Sequence, residues 1–304
     1  MNPGTLRLLL ATLIVAGGTR GFAREAGESK GFKAIYNFGD SLSDTGNLPA
    51  VMPFSPPYDP RRAANGKLFV DFLAEFYRIA PVTPSISGGT NYAWGGATAA
   101  PDLTFIPGSS GIDQVQQYLG HTGGVTDKKG LYIIGIGLND IGALVGSGID
   151  PAVAGAETAA NVEIMLGMLL SAGAEHVWVI QEPVRTDPLQ QFFDPIVPGF
   201  YAAFEAGLEA LNAHLASAVA AIDPRKDVHV ASIGALEDQF RADPGAYGFK
   251  DVTHACVAEW PIPFWSPSPL TVCSEPNTFL YWDHTHRTEQ AHRFYAEILA
   301  TSLR

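Results

Sequence analysis

The chain has 304 residues, a length that suits one large α/β domain as well as two average ones. Hydrophobic residues make up 46% and charged residues only 16%, which excludes a chain that is mainly disordered. The formal net charge of −12 repels phosphate backbones and anionic lipid surfaces, so nucleic acid is not an expected partner.

In chain order, the first segment reads as an export signal. Arg7 precedes the apolar run Leu8 to Ala16, and small residues lead to a cleavage site after Ala23. Residues 1–23 are expected to be removed, which takes away two arginines and no acid, and residues 24–304 are expected to form a single domain. The apolar run is half the ~20 residues that span a bilayer, and no later stretch reads as long and apolar enough, so no transmembrane span is expected. An exported product is periplasmic or extracellular. That compartment favours joining the only two cysteines, Cys256 and Cys273, in a disulfide.

Past the signal, short apolar runs alternate with helical patterns. The predicted strands are Ala34 to Phe38, Asn91 to Trp94, Leu131 to Ile136, Val177 to Ile180 and Val228 to Ile233. Between them, Phe69, Phe72, Leu73 and Phe76 recur at helical spacing, as do Val162, Met165, Leu166 and Leu169, and Phe204, Leu208, Leu211 and Leu215. A last helix is predicted from Thr288 to Leu303. This alternation implies a parallel sheet covered on both faces, with functional loops at the carboxyl ends of its strands. Two irregular regions, 53–64 and 243–281, are rich in Pro and aromatic residues and read as insertions over one edge.

Four segments could carry chemistry. The first strand runs into Gly39-Asp40-Ser41-Leu42-Ser43-Asp44, where a serine at a strand end is placed to be a nucleophile or, equally, a helix cap. The Gly-x-Ser-x-Gly elbow is absent, which argues against the α/β-hydrolase fold. Near the other end, Asp283 stands three residues before His286 and can orient its imidazole within one turn, leaving the second ring nitrogen as a base. A metal cluster of Asp283, His284 and His286 is the competing reading, without an obvious fourth ligand. Between them, Asn91 to Ala97 ends in paired glycines and Gly137-Leu138-Asn139-Asp140 offers an amide, the kind of donors an oxyanion hole needs. The remaining histidines, 121, 176, 214, 229, 254 and 292, read as surface or structural groups without spaced partners.

Together, the four segments resemble the GDSL family of esterases and lipases, the SGNH hydrolases, over nearly all of the mature chain. The resemblance implies a three-layer α/β/α sandwich with a central parallel sheet of flavodoxin-like type. It implies Ser41 as nucleophile, His286 as base, Asp283 as its orienter, and Ser41, Gly96 and Asn139 as oxyanion donors, with Gly95 a rival to Gly96. One departure stands out: the family's last block often continues His-Pro-Thr, whereas Arg287 lies between His286 and Thr288 here.

No cofactor and no metal are implied. The expected substrate is a small-molecule or lipid ester, with transient contact at a lipid surface left open. The aromatic stretch before the last block suggests either simple packing or a cage for a quaternary ammonium. Asp40, Trp94, Trp265 and Trp282 are the candidate substrate contacts. Short- to medium-chain acyl esters and choline esters lead. Phospholipids, acetylated polysaccharides and a non-catalytic choline- or glycan-binding module remain as alternatives.

Overall fold

The computed structural model describes residues 31–258 and 270–302, so the expected leader 1–23 lies outside the described residues. The elements follow as β1 (Ala34–Gly39), α1 (Asn47–Val51), α2 (Phe69–Tyr77), α3 (Gly111–His121), β2 (Gly130–Gly135), α4 (Leu138–Gly146) and α5 (Pro151–Ser171). Then come β3 (His176–Gln181), α6 (Asp187–Phe193), α7 (Phe200–Ala220), β4 (Asp227–Ser232), α8 (Ile233–Ala242), β5 (Asp251–Ala255), β6 (Phe279–Tyr281) and α9 (Glu289–Ser302).

The strands β1, β2, β3 and β4 lie side by side in that order, all parallel. Because successive strand residues face opposite sides, a sheet covered twice must be apolar at nearly every position. Ile35, Leu131, Ile133, Trp178 and Ile180 pack with residues of α2, α8 and α9. Phe38, Tyr132, Ile134, Val177 and Val179 pack with residues of α3, α4, α5 and α7. The result is a three-layer α/β/α fold. β5 and β6 form a separate two-stranded parallel sheet.

Local signals set the helix starts. Ser110 and Asp113 form a reciprocal capping box before α3, and the Asp150 carboxylate accepts the Ala152 and Val153 N–H groups while Pro151 opens α5. Such caps contribute about 1 kcal/mol each.

Two sequence expectations change. Asn91 to Trp94 is not a fifth strand: Asn91 makes only isolated bridges, to Asn37 and Pro84. The segment follows the free edge of β1, with Tyr92 N–H to Asn37 O at 2.7 Å and Trp94 N–H to Gly39 O at 3.1 Å, before the glycine pair turns it away. Second, α5 is long and apolar enough by length and composition to cross a membrane. Its apolarity comes from Ala, Gly and Met as well as the expected aliphatic stripe. Val162, Met165, Leu166 and Leu169 are buried in the core, which makes it the central helix of one layer.

Candidate active site

β1 ends at Gly39, where a side chain would collide with the Gly135 carbonyl of β2 and with Ser43 Oγ. The chain then turns tightly: the Ser43 and Asp44 N–H groups return to Asp40 O at 3.1 and 3.0 Å, and Asp40 Oδ1 accepts the Leu42 N–H at 3.0 Å. This turn leaves Ser41 half-buried at the carboxyl edge of the sheet. Neither Ser41 nor Ser43 caps a helix. That task falls to Asp44, whose carboxylate accepts the N–H groups of Gly46, Asn47 and Leu48 at 2.8, 2.7 and 2.9 Å.

The turn after β6 meets Ser41 from the opposite end of the chain. His286 Nε2 lies 2.9 Å from Ser41 Oγ, and His286 Nδ1 lies 2.8 Å from Asp283 Oδ2. Asp283 Oδ1 also accepts the backbone N–H groups of His286 and Thr285, at 2.7 and 2.8 Å, which is the one-turn return that the three-residue spacing allows. Asp283 is fully buried and His286 is 2% exposed. Burial by itself would raise the Asp283 carboxyl, but the His286 charge and these hydrogen bonds outweigh it and hold the group down at about 2. An ionised carboxylate fixes the Nδ1–H tautomer, so Nε2 faces the serine hydroxyl as an acceptor.

Donors converge on the same edge. Gly95 and Gly96 are distinguished by geometry: the Gly95 N–H is taken by Asp44 Oδ2 at 2.9 Å, whereas Gly96 has φ +75° and its N–H has no acceptor among the described residues. Asn139 stands in the first turn of α4, and one of its amide N–H bonds is held by Ala97 O at 2.9 Å. Asp140 beside it accepts the Ala99 N–H at 2.9 Å with both oxygens, tying the 97–100 loop to α4. Burial raises the Asp140 carboxyl to about 7.

A GDSL-like lipase/acylhydrolase family model matches residues 35–299, from the first strand to the last helix. The chain belongs to this family. It is a carboxylic ester hydrolase. This GDSL hydrolase is 25% identical to an esterase of Hevea brasiliensis over 98% of its own length and 90% of that chain. It is 37% identical to "Lipase 1" of Photorhabdus luminescens over 50% of its own length, which spans only 22% of that lipase. Among solved structures, a carbohydrate acetylesterase from Sinorhizobium meliloti superposes with a TM-score of 0.49 at 14% identity, covering 89% of this chain and 98% of that one.

The four candidate substrate contacts of the GDSL hydrolase fare differently. Asp40 is 1% exposed, folded into its own turn, and Trp282 is 1% exposed in a cluster with Tyr58, Val257 and Cys256. Neither presents a surface to a ligand. Tyr281 is likewise buried, with its hydroxyl among Arg241, Arg185 and Asp187, so neither it nor Trp282 offers an open ring face for a cation. Trp94 is half-buried between two apolar clusters. Trp265 lies outside the described residues. Cys256 and Cys273 are joined, and the Cys256 and Val257 N–H groups pair with Tyr281 O and Trp282 O, which braces the chain just before Asp283.

Among the described residues, no group of three His, Cys, Asp or Glu side chains is arranged around a metal-sized site. His284 instead lies edge-on to Phe192, with ring centroids 6.0 Å apart. Three further histidines do have carboxylate partners: His176 and His229 share Asp227, and His254 pairs with Asp251. Asp251-x-x-His254 even repeats the spacing of Asp283-x-x-His286. Its histidine side chain is 63% exposed, so the low-dielectric setting that makes such a pair useful is missing.

Asp44 is one of the two acids flanking the nucleophile that the sequence offers as helix-cap acids, and its second oxygen also takes the Gly95 N–H. Sequence reasoning missed two features of this site: the Tyr58 hydroxyl 2.8 Å from Asp283 Oδ2 and the buried partner of Arg287. Both join segments with no common pattern.

Proposed function

We propose that the protein is an exported serine hydrolase, one domain over residues 24–304, that cleaves uncharged short- to medium-chain acyl esters through an acyl-enzyme. The single observation that carries the reading is the unbroken relay from Ser41 Oγ through His286 to buried Asp283. His286 Nε2 takes the Ser41 proton as the hydroxyl oxygen attacks the ester carbonyl, forming the new C–O bond. The oxyanion is held by the N–H groups of Ser41 and Gly96 and by the Asn139 amide, each such donor being worth about 10²–10³ in rate. The imidazolium then gives its proton to the departing alcohol. Water repeats the cycle and releases the acid. Asp283 stays ionised throughout and pairs with the imidazolium.

Apolar side chains flank the oxyanion loop and the nucleophile. Phe105, 58% exposed, lies against Gly96, and Leu42 is half-exposed next to Ser41. Such a rim suits an acyl chain better than a charged or heavily hydrated group. The joined Cys256–Cys273 pair supports an oxidising destination, the periplasm or the medium.

The test is hydrolysis of p-nitrophenyl esters of increasing acyl length, with acetylthiocholine alongside and Ser41→Ala as control. Butyrate or hexanoate turnover that disappears in the control supports the reading. A marked preference for acetylthiocholine redirects it to choline esters, and turnover retained by Ser41→Ala removes the nucleophile from it.

A further inference from the structure

We propose that Tyr58 is a positioning residue of this reaction, acting through Asp283 on His286; the inference rests on the Ser41–His286–Asp283 reading above. Tyr58 OH lies 2.8 Å from Asp283 Oδ2, and the two residues are 225 positions apart in the chain. An ionised carboxylate only accepts, so the phenol must be the donor.

The four donors divide the carboxylate between them. Oδ1 takes the two backbone N–H groups of its own turn, Oδ2 takes the phenol, and the imidazole Nδ1 faces both, at 3.0 and 2.8 Å. Held at both oxygens, the carboxylate cannot rotate about its Cβ–Cγ bond without breaking a buried hydrogen bond. The imidazole it orients is therefore kept on line to Ser41. The phenol also draws charge from the oxygen that faces the imidazole Nδ1, so it sets how strongly the carboxylate can stabilise the imidazolium formed in the reaction.

The fold presents Tyr58 rigidly. Its ring stands edge-on to Trp282, with centroids 5.8 Å apart and planes at 86°, and edge-on to Phe54 at 6.2 Å. The residue is 5% exposed, in one cluster with Leu48, Ala63, Cys256 and Val257. Its irregular segment is clamped on the far side: the Asp59 N–H reaches Ala64 O at 2.8 Å, and Arg62 forks onto Asp71 of α2 with two contacts of 2.8 Å. The proline-rich insertion thus has a task, which is to deliver one hydroxyl to the back of the Asp–His pair.

The experiment compares kcat, KM and the pH dependence of kcat/KM for p-nitrophenyl butyrate in the parent, Tyr58→Phe and Ser41→Ala. Asp283, Asp40 from the β1 turn, Arg287 from the catalytic turn and His292 from α9 also surround the imidazole, so the readout is the displacement between parent and variant. Tyr58→Phe keeps the ring packing and removes only the donor. It is expected to lower kcat about tenfold with KM nearly unchanged. The acidic limb should move to higher pH, because the buried carboxylate has lost a donor to its charged form. An unchanged limb and kcat overturn the inference, as does a loss of activity that only follows a loss of melting temperature. If Tyr58→Phe does not fold, 3-fluorotyrosine placed at position 58, a stronger donor of the same shape, should move the limb the other way, and no movement overturns the inference. Activity surviving in Ser41→Ala would instead remove the reading on which it rests.

Discussion

Arg287 Nε donates to Glu237 Oε1 at 2.7 Å, and both side chains are sealed from solvent directly behind the Asp283–His286 turn. Arg287 Nη2 adds a second contact to Glu237 Oε2 at 3.2 Å, its plane lies over the Tyr281 ring at 5.1 Å, and Glu237 Oε1 also accepts the Tyr295 hydroxyl at 2.6 Å. Where the family often has a proline to stiffen this turn, the chain has a buried guanidinium that ties it to α8 and α9.

Removing one member of a buried pair costs about 3–5 kcal/mol when the partner is left without compensation; Glu237 Oε2 keeps Arg241 Nη2 at 3.0 Å, which places the cost here at the low end, about 3 kcal/mol. Arg287→Met is expected to destabilise by that amount in urea unfolding, and Arg287→Met combined with Glu237→Leu to recover a good part of it. If the double variant is as unstable as the sum of the single ones, the pair is not the coupled unit described.

Asn139→Ala is expected to reduce kcat by about 10²–10³ while KM changes little, since the second amide N–H acts on charge that develops after binding. Steady-state kinetics on p-nitrophenyl butyrate reads both constants. A rise in KM at unchanged kcat would assign the amide to ground-state binding.

His292 is buried with neither ring nitrogen hydrogen-bonded among the described residues. Burial first, then the nearby Arg287 and His286 charges, lowers it from 6.5 to about 3. For a base with a depressed folded value, the unfolded chain takes up the proton first as the pH falls, so stability is lost from about pH 6.5 downward, at about 1.4 kcal/mol per pH unit. His292→Phe, in a pocket where the ring already stacks on Phe69 at 6.3 Å, removes this loss. Its melting temperature should gain on the parent progressively between pH 7 and 5. Parallel curves would show that the imidazole stays neutral in both states or is charged in both.

The Cys256–Cys273 bond closes a loop of 17 residues separation, for which chain entropy gives about 3 kcal/mol. Reduction by dithiothreitol is expected to lower the melting temperature and, because Cys256 and Val257 brace Tyr281 and Trp282, to lower esterase activity before the protein unfolds. A reduced protein with full activity would separate the bond from the site.

Legibility in the sequence followed the range of the interaction. Buried strands showed as apolar runs, most plainly β2 and β3, which lie inside the sheet and are covered on both faces, and Asp283 and His286 showed as a pair because one turn joins them. Asn91 to Trp94 misled because its pattern fits a strand while its backbone hydrogen bonds are divided between β1 and the loop at 83–85 and form no continuous ladder. Asp251 and His254 went unnoticed as a pair, and spacing alone could not have ranked them below Asp283 and His286, since burial and the contact of His286 with Ser41 are what separate the two. Tyr58 with Asp283, and Arg287 with Glu237, join segments 225 and 50 residues apart through one side-chain pair each, and no periodicity signals such a pair.

The central claim is that Ser41 carries the acyl group. Intact-mass and peptide-mapped spectrometry of the protein quenched during turnover of p-nitrophenyl butyrate, repeated with Asn139→Ala to slow deacylation, tests it most directly. The account predicts one added butyryl group on the peptide containing Ser41, absent in Ser41→Ala. A butyryl group on another residue, or continued turnover in Ser41→Ala, would contradict it.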